Sequence, residues 1–248
     1  MKKTIVIALA VVLASFSLTF WIISNDASSI GDSFEAQPID VAVGALQIGA
    51  VIQFGGYEWR VLDVQNNRAL IITENIIEIR PYNEQSANVT WETSSLRRYL
   101  NGEFLQKFTG EDQRRIAETR IVNNDNLWYG TNGGSNTIDK VFLLSLEEVD
   151  RYFGNSGDYE NRRRKSGRIR DDGTIEIFSD DNGVAFSNAN DSDRIARYND
   201  NPWLWWLRSP GLDSYFAAIV YNDGDVLVDG GGANSGNGGV RPALWLNL

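Results

Sequence analysis

Trp203, Trp205 and Trp206 stand within four residues, and Arg208 follows two positions later. An indole face stacks on sugar rings or cations, and a guanidinium grips a carboxylate through two parallel hydrogen bonds. Nearby runs of Asp and Asn, at 180–182, 191–193, 199–201 and 222–225, offer the oxygen donors that calcium prefers. None follows the EF-hand pattern with its closing Glu, and such runs equally make ordinary turns. Glu92, Glu118, Asp139 and Glu147 are carboxylates from which a glycosidase-type pair would be drawn, although acid and base keep no fixed spacing along a chain. Asp139, before an apolar run, also suits a turn brace. The chain has no histidine and no cysteine. That excludes a Ser-His-Asp triad, a thiolate nucleophile and cysteine-bound metal, and removes the commonest nitrogen ligand for zinc or copper.

Strand alternation decides which of these side chains a ligand meets. Along 203–208 it puts Trp203, Trp205 and Leu207 on one face and Leu204, Trp206 and Arg208 on the other. Both faces are apolar and bulky, so the spacing predicts a strand covered on both sides, with Trp205 and Trp206 structural. Trp203, beside Pro202 at the strand end, is the indole placed to act as a platform. Arg208 on such a strand needs a partner, because an isolated buried charge is too costly. Asp63, Glu74 and backbone carbonyls are its candidates; Arg241, before Pro242, stands in the same situation on the last strand. A ligand carboxylate is the alternative partner for both.

The elements around these residues read as strand, helix, strand. Runs at 51–54, 57–64 and 69–73, separated by Gly55-Gly56 and Gln65-Asn66-Asn67, predict an antiparallel meander with Tyr57, Trp59 and Val61 on its covered face. Residues 91–108 carry apolar groups at helical spacing, with Thr90 as N-cap and a break at Asn101-Gly102. Thr109 and Asp112 open another helix, and Ser145 with Glu148 forms a capping box after a strand at 141–144. Residues 155–200 form an irregular insertion, with six basic residues within 162–170. These read as a solvated face, or alternatively as a docking patch for an anionic polymer or lipid headgroup. A hairpin turning at 222–224, a flexible Gly/Asn loop at 230–239 and a closing strand with Trp245 end the chain. This order predicts an α+β fold of antiparallel sheets and short helices whose two ends pair in one sheet.

Residues 4–23 follow Lys2 and Lys3 and carry no charge. As a helix they would rise roughly 30 Å, the thickness of a bilayer core. They read as an uncleaved signal anchor with the N-terminus cytoplasmic, or as a signal peptide cleaved near Ala27-Ser28-Ser29. Residues 24–44 read as a tether and 45–248 as one extracellular domain, at the cell membrane or secreted if the signal is cleaved. The net charge of −10 repels phosphate backbones, so nucleic acid is not an expected partner.

The stretches "WWLRSPG" (205–211) and "GVRPALWL" (239–246) resemble a family of unknown function found in exported proteins of Gram-positive bacteria. "FGGYEWRVLD" (54–63), "LIITENII" (70–77), "TWETSSLRRYLN" (90–101) and "DKVFLLSLEEV" (139–149) extend the likeness over about 48–248. The family implies no chemistry. More weakly, a strand with "RS", a hairpin and a closing "GVR" strand is similar to C-type-lectin-like domains, including the formylglycine-generating group. That implies paired terminal strands and ligand contacts on irregular loops. The absence of cysteine removes formylglycine generation and the lectin disulfides, and the lectin calcium motif is missing.

The expected function is therefore a membrane-tethered, non-catalytic recognition module for a protein or cell-wall glycan. Its contacts are expected at Trp203, Asn222, Asp223, Asp225, Asn234 and Asn237, with Trp59, Trp205, Trp206, Arg208, Arg241 and Trp245 structural. No cofactor is expected beyond weakly indicated calcium. The rivals are a carboxylate-based hydrolase of wall polymers and a scaffold that recruits a partner strand at the 51–54 edge.

Overall fold

Left-handed turn residues set the first sheet. In the computed structural model, β1 (Val51–Phe54), β2 (Tyr57–Gln65) and β3 (Arg68–Thr73) form the expected antiparallel meander. Gly55 and Gly56 turn the first hairpin; Asn66 (φ 52°) and Asn67 (φ 59°) turn the second, as a tight primed turn requires. Gln65 is therefore the last residue of β2 rather than part of the turn. β16 (Ala243–Asn247) pairs antiparallel with β3, so the sheet order is β1-β2-β3-β16 and the first and last strands of the domain share one sheet.

The second sheet places β12 (Trp205–Pro210) in its interior. Its order is β4 (Glu78–Ile79), β15 (Gly239–Val240), β12, β13 (Phe216–Val220), β14 (Val226–Gly232) and β9 (Ala185–Phe186). All six residues of β12 are buried, as the two-faced apolar pattern predicts. Trp203 departs from that prediction. It ends a separate strand, β11 (Asn201–Trp203), which pairs with β10 (Ala196–Tyr198) through a turn at Asn199 and Asp200, both with positive φ. Leu204 is the crossing point, its carbonyl taken by the Gly239 N–H at 3.0 Å. Alternation thus holds only from Trp205 onward. Among the described residues, three strand pairs lie outside the two large sheets: β10–β11, β5 (Thr119–Ile121) with β6 (Thr137–Asp139), and β7 (Arg168–Ile169) with β8 (Ile175–Glu176).

The helices are short. α1 (Ser95–Tyr99) is capped by Ser94, whose hydroxyl accepts the Arg97 N–H, and not by Thr90. Thr90 instead closes a tight turn, accepting the Thr93 N–H, that carries the buried Trp91. Asn101-Gly102 does not break the helix; a π-helical turn (Leu100–Phe104) and a 3-10 turn (Leu105–Lys107) continue it. The wide turn lets Asn101 bind the Lys140 N–H and the Val141 carbonyl through its amide, at 2.8 Å each. α2 (Gly110–Arg115) has the expected Thr109 cap, and α3 (Leu146–Phe153) the expected Ser145–Glu148 box. Residues 141–144 are buried and make one bridge, Phe142 to Ala243, but no strand. Their carbonyls are already engaged: Val141 by Asn101, Leu143 by the Arg208 guanidinium and Leu144 by the Arg208 N–H.

One apolar cluster joins both sheets and the helices, with Trp59, Trp91, Trp205 and Trp206 at 1% exposure or less. Arg208 finds neither Asp63 nor Glu74. Glu74 is paired with Arg60, and Arg208 pairs with Glu148. Arg241 takes the backbone-carbonyl alternative and is held by those of Thr73, Glu74 and Arg194. Burial lowers its guanidinium to about 10, so it stays charged at neutral pH. The structure describes residues 46–153 and 190–248, with the backbone of β7, β8 and β9 between them, all within the compact unit Ala42–Leu248. The anchor at 4–23, the tether at 24–44, the basic run and the 180–182 cluster lie outside the described side chains. No described helix is long and apolar enough to cross a membrane.

Candidate functional site

Three loops meet in an open cleft of about 590 Å³. The first is the Thr90–Thr93 turn. Trp91 anchors it from below: its indole N–H reaches Asp139 at 2.9 Å, while Thr90 and Glu92 on either side line the cleft. Asp139 also accepts from Thr137 Oγ1 and Arg97 Nε, each at 2.7 Å. With both oxygens engaged and the residue buried, Asp139 is a brace, as its position suggests, and not an acid or base.

The second loop spans 123–136. Asn126 secures it, its amide donating to the carbonyls of Pro210, Gly211 and Val228, and its oxygen accepting the Trp128 N–H. Gly134 N–H donates to Asn132 Oδ1 at 2.6 Å, and Ser135 N–H to Glu92 Oε2 at 3.3 Å. The third loop follows β12. Thr131 Oγ1 holds the Leu212 carbonyl, Ser214 Oγ donates to Asn88 Oδ1, and the Val89 N–H donates to the Ser214 carbonyl. Tyr215, next to Ser214, keeps 48% of its surface in solvent. Behind this loop, burial pushes the Asp229 carboxyl above its usual range, and its Oδ1 has no hydrogen-bond partner.

The lining thus combines amides (Asn88, Asn132), hydroxyls (Thr90, Thr93, Ser135, Ser214) and one carboxylate, Glu92, with Val89, Gly134 and the carbon atoms of the polar side chains. Mixed donors and acceptors around one carboxylate suit the hydroxyls of a neutral ligand. Two-carboxylate hydrolysis would need a second acid across the cleft, and among the described residues no other Asp or Glu lines it. Glu118 is exposed outside it, and Glu147 lines a different cleft.

The residues expected to contact ligand fall into two separate groups. Trp203, 37% exposed, donates its indole N–H to the Asn237 carbonyl at 2.7 Å, which joins it to the loop bearing Asn234. Asn222, Asp223 and Asp225 occupy the β13–β14 turn, where Asp223 Oδ1 takes the Asp225 N–H and Arg194 holds the Gly224 carbonyl. That turn lies at the opposite end of β14 from Asn234. The Gly/Asn loop is a packed lid. A Cβ on Gly238 would sit 1.9 Å from the Trp206 indole nitrogen, so only glycine lets the backbone cross that ring. Hydrogen bonds from the Arg80 and Asn83 N–H groups hold it down at both ends. Among the described residues, no group of three or more acidic side chains could hold a metal ion, so the calcium candidates gain no site there.

Of the cleft residues, the sequence singles out Glu92 as a carboxylate and Thr90 only as a helix cap. The threonine turn at 90–93 and the "TNGGSN" run at 131–136 are turn-forming patterns, and their meeting depends on Asn126, whose role has no local signal. No curated protein and no solved structure matches the chain. A family model described as a domain of unknown function, DUF6273, matches residues 66–248, from the second hairpin turn to the last strand, and the chain belongs to that family.

Proposed function

We propose that this chain is a non-catalytic recognition module, exported and tethered by 4–23, whose cleft between the 88–93, 132–135 and 214 segments binds a cell-wall glycan. The observation that carries this reading is the composition of the cleft, with amides and hydroxyls around one carboxylate. Sugar hydroxyls donate to Glu92, Asn132 and Ser214, whose own hydrogen goes to Asn88, and accept from Ser135. The pairing of β3 with β16 supports the C-type-lectin-like arrangement. Open, polar loop surfaces of this kind give modest affinity, which many copies on one cell surface multiply.

The test is titration of the full-length chain with a soluble N-acetylglucosamine tetramer, followed by isothermal calorimetry. Asn132→Ala and Glu92→Gln should each weaken binding about tenfold, the order of a charged or well-formed hydrogen bond. Trp203→Ala should leave it unchanged. Loss with Trp203→Ala and retention with Asn132→Ala would move the site to the Trp203–Asn237 loop; no binding at all would sink the glycan reading.

A second reading has its own observation. β1 is the outer strand of its sheet, no described strand pairs with its free edge, and Val51 is 47% exposed. Such an edge is a template for a partner strand, and it supports a scaffold role.

A further inference from the structure

In a chain of net charge −10, one cleft is locally positive. It occupies about 280 Å³ beside β5, the start of α3 and β16. Its charged lining is Arg120, Arg151 and Arg208 against Glu147 and Glu148. Three guanidinium groups face two carboxylates, which leaves one positive charge in excess. Arg208 and Glu148 cancel each other. Arg208 Nη2 donates to Glu148 Oε1 at 3.0 Å while Nη1 bonds Oε2, and the guanidinium also holds the carbonyls of Leu143 and Val122. Glu148 is fixed from its own side by the Ser145 N–H at 3.0 Å. This pair is 5% and 24% exposed at its side chains and forms a rigid wall. Glu147 is steadied by Asn124 Nδ2 at 3.5 Å. Arg120 on β5 and Arg151 on α3 lie at the solvent side; Arg151 hydrogen-bonds the Tyr152 hydroxyl, and among the described residues Arg120 makes no ion pair.

The rest of the lining is mixed, with Thr119, Asn124 and Ser145 beside Ile121, Val122, Phe142 and Trp245. Ile121 and Phe142 are buried, and the Trp245 ring and Val122 are partly open. Cations beside hydroxyls, an amide and one partly open indole fit a carboxylate carried on a short peptide, whose amide groups meet the polar side chains and whose small side chains meet the ring. The volume sits just under the about 300–1,000 Å³ usual for ligand pockets, so the occupant is small.

We propose that this cleft captures the terminal carboxylate of a short peptide, with Arg120 and Arg151 clasping the anion and small apolar side chains lying against Trp245. The site is separate from the polar cleft and does not depend on the glycan reading. Trp245 thereby gains a ligand-facing role beyond its place in β16.

The experiment uses the full-length chain, N-acetyl-alanyl-alanine, its C-terminal amide and glucuronate, with binding followed at the tryptophan indole resonances. The free-acid dipeptide should move the Trp245 signal and leave that of Trp203 in place. The amide should bind at least about tenfold more weakly, because it removes the charge-assisted hydrogen bonds. Arg120→Ala with Arg151→Ala should abolish the shift, Arg120→Lys should restore part of it, and added salt should weaken it. An unchanged set of the other indole signals checks that each variant is folded. Equal binding of acid and amide, a stationary Trp245 signal, or tighter binding of glucuronate than of the dipeptide would each overturn the proposal. The N-acetylglucosamine titration should leave Trp245 unmoved, so the two sites fail or succeed separately.

Discussion

Asp229 carries a charge in the wrong surroundings. Burial raises its carboxyl, the N–H groups of Gly230 and of Asp229 itself offset this only in part, and Oδ1 stays unpaired. A raised folded-state value means that the folded protein holds this proton more tightly than the unfolded chain does. The stability this contributes is complete below the ordinary carboxylate range and is lost as pH rises through the elevated value. Asp229→Asn should therefore raise the thermal midpoint at neutral pH and change it little in acid. An equal shift at both pH values in thermal melts would refute this. Residue-scale features of this kind were partly legible in sequence. The need of Arg208 and Arg241 for partners follows from their place among apolar neighbours, and of the alternatives offered Arg241 uses backbone carbonyls. That Arg208 takes Glu148 was hidden, because Glu148 already had a local task in the capping box, and only the fold brings that helix start against β12.

At the scale of elements, glycine marks a collision rather than freedom. The 233–238 segment crosses the face of Trp206, and a methyl group on Gly238 would overlap the indole. Gly238→Ala should cost about 1–3 kcal/mol, the range for overpacking a tight core site. Urea denaturation reads this, with Gly236→Ala as control, since a Cβ there meets nothing within 4 Å. A Gly238 variant as stable as the control would show that the lid lifts. Elements with local signals were legible: both meander turns, the Thr109 cap, the capping box and the hairpin at 222–224. The extended 141–144 segment was not. Its apolar run reads as a strand, but side chains from distant positions take the carbonyls that a ladder would need. The end of β11 at Trp203 was equally hidden, because a crossing between sheets at Leu204 leaves no mark on alternation.

At the scale of the whole molecule, the β1-β2-β3-β16 sheet has unequal sides. β16 is flanked by bridges to Ile116 and Phe142, whereas no described strand other than β2 pairs with β1. Val61 N–H donates to the Ala50 carbonyl, and alternation from that pair turns the peptide groups of Val51 and Gln53 outward. If this edge recruits a partner strand, Gln53→Pro should leave the thermal midpoint within a degree or so yet remove the partner, since an outward N–H is lost at no cost to the ladder. Cross-linking on intact cells followed by recovery of the chain reads this; an unchanged set of cross-linked species argues against recruitment. The α+β class and the joined termini were legible because strand runs bracket the helical ones. The polar cleft was not, because it forms only where three separate loops are tied together through Asn126.

The β3–β16 ladder also sets a timetable. Arg68 is made early and lies opposite Asn247, which is made 179 residues later (247 − 68). A ribosome can finish the meander, yet the apolar side of β3 waits until residue 247 has emerged. Contacts so far apart in the chain are slow to form and expose sticky surface meanwhile. The growing polypeptide thus stays unfinished, and threadable, until residue 247 has been made.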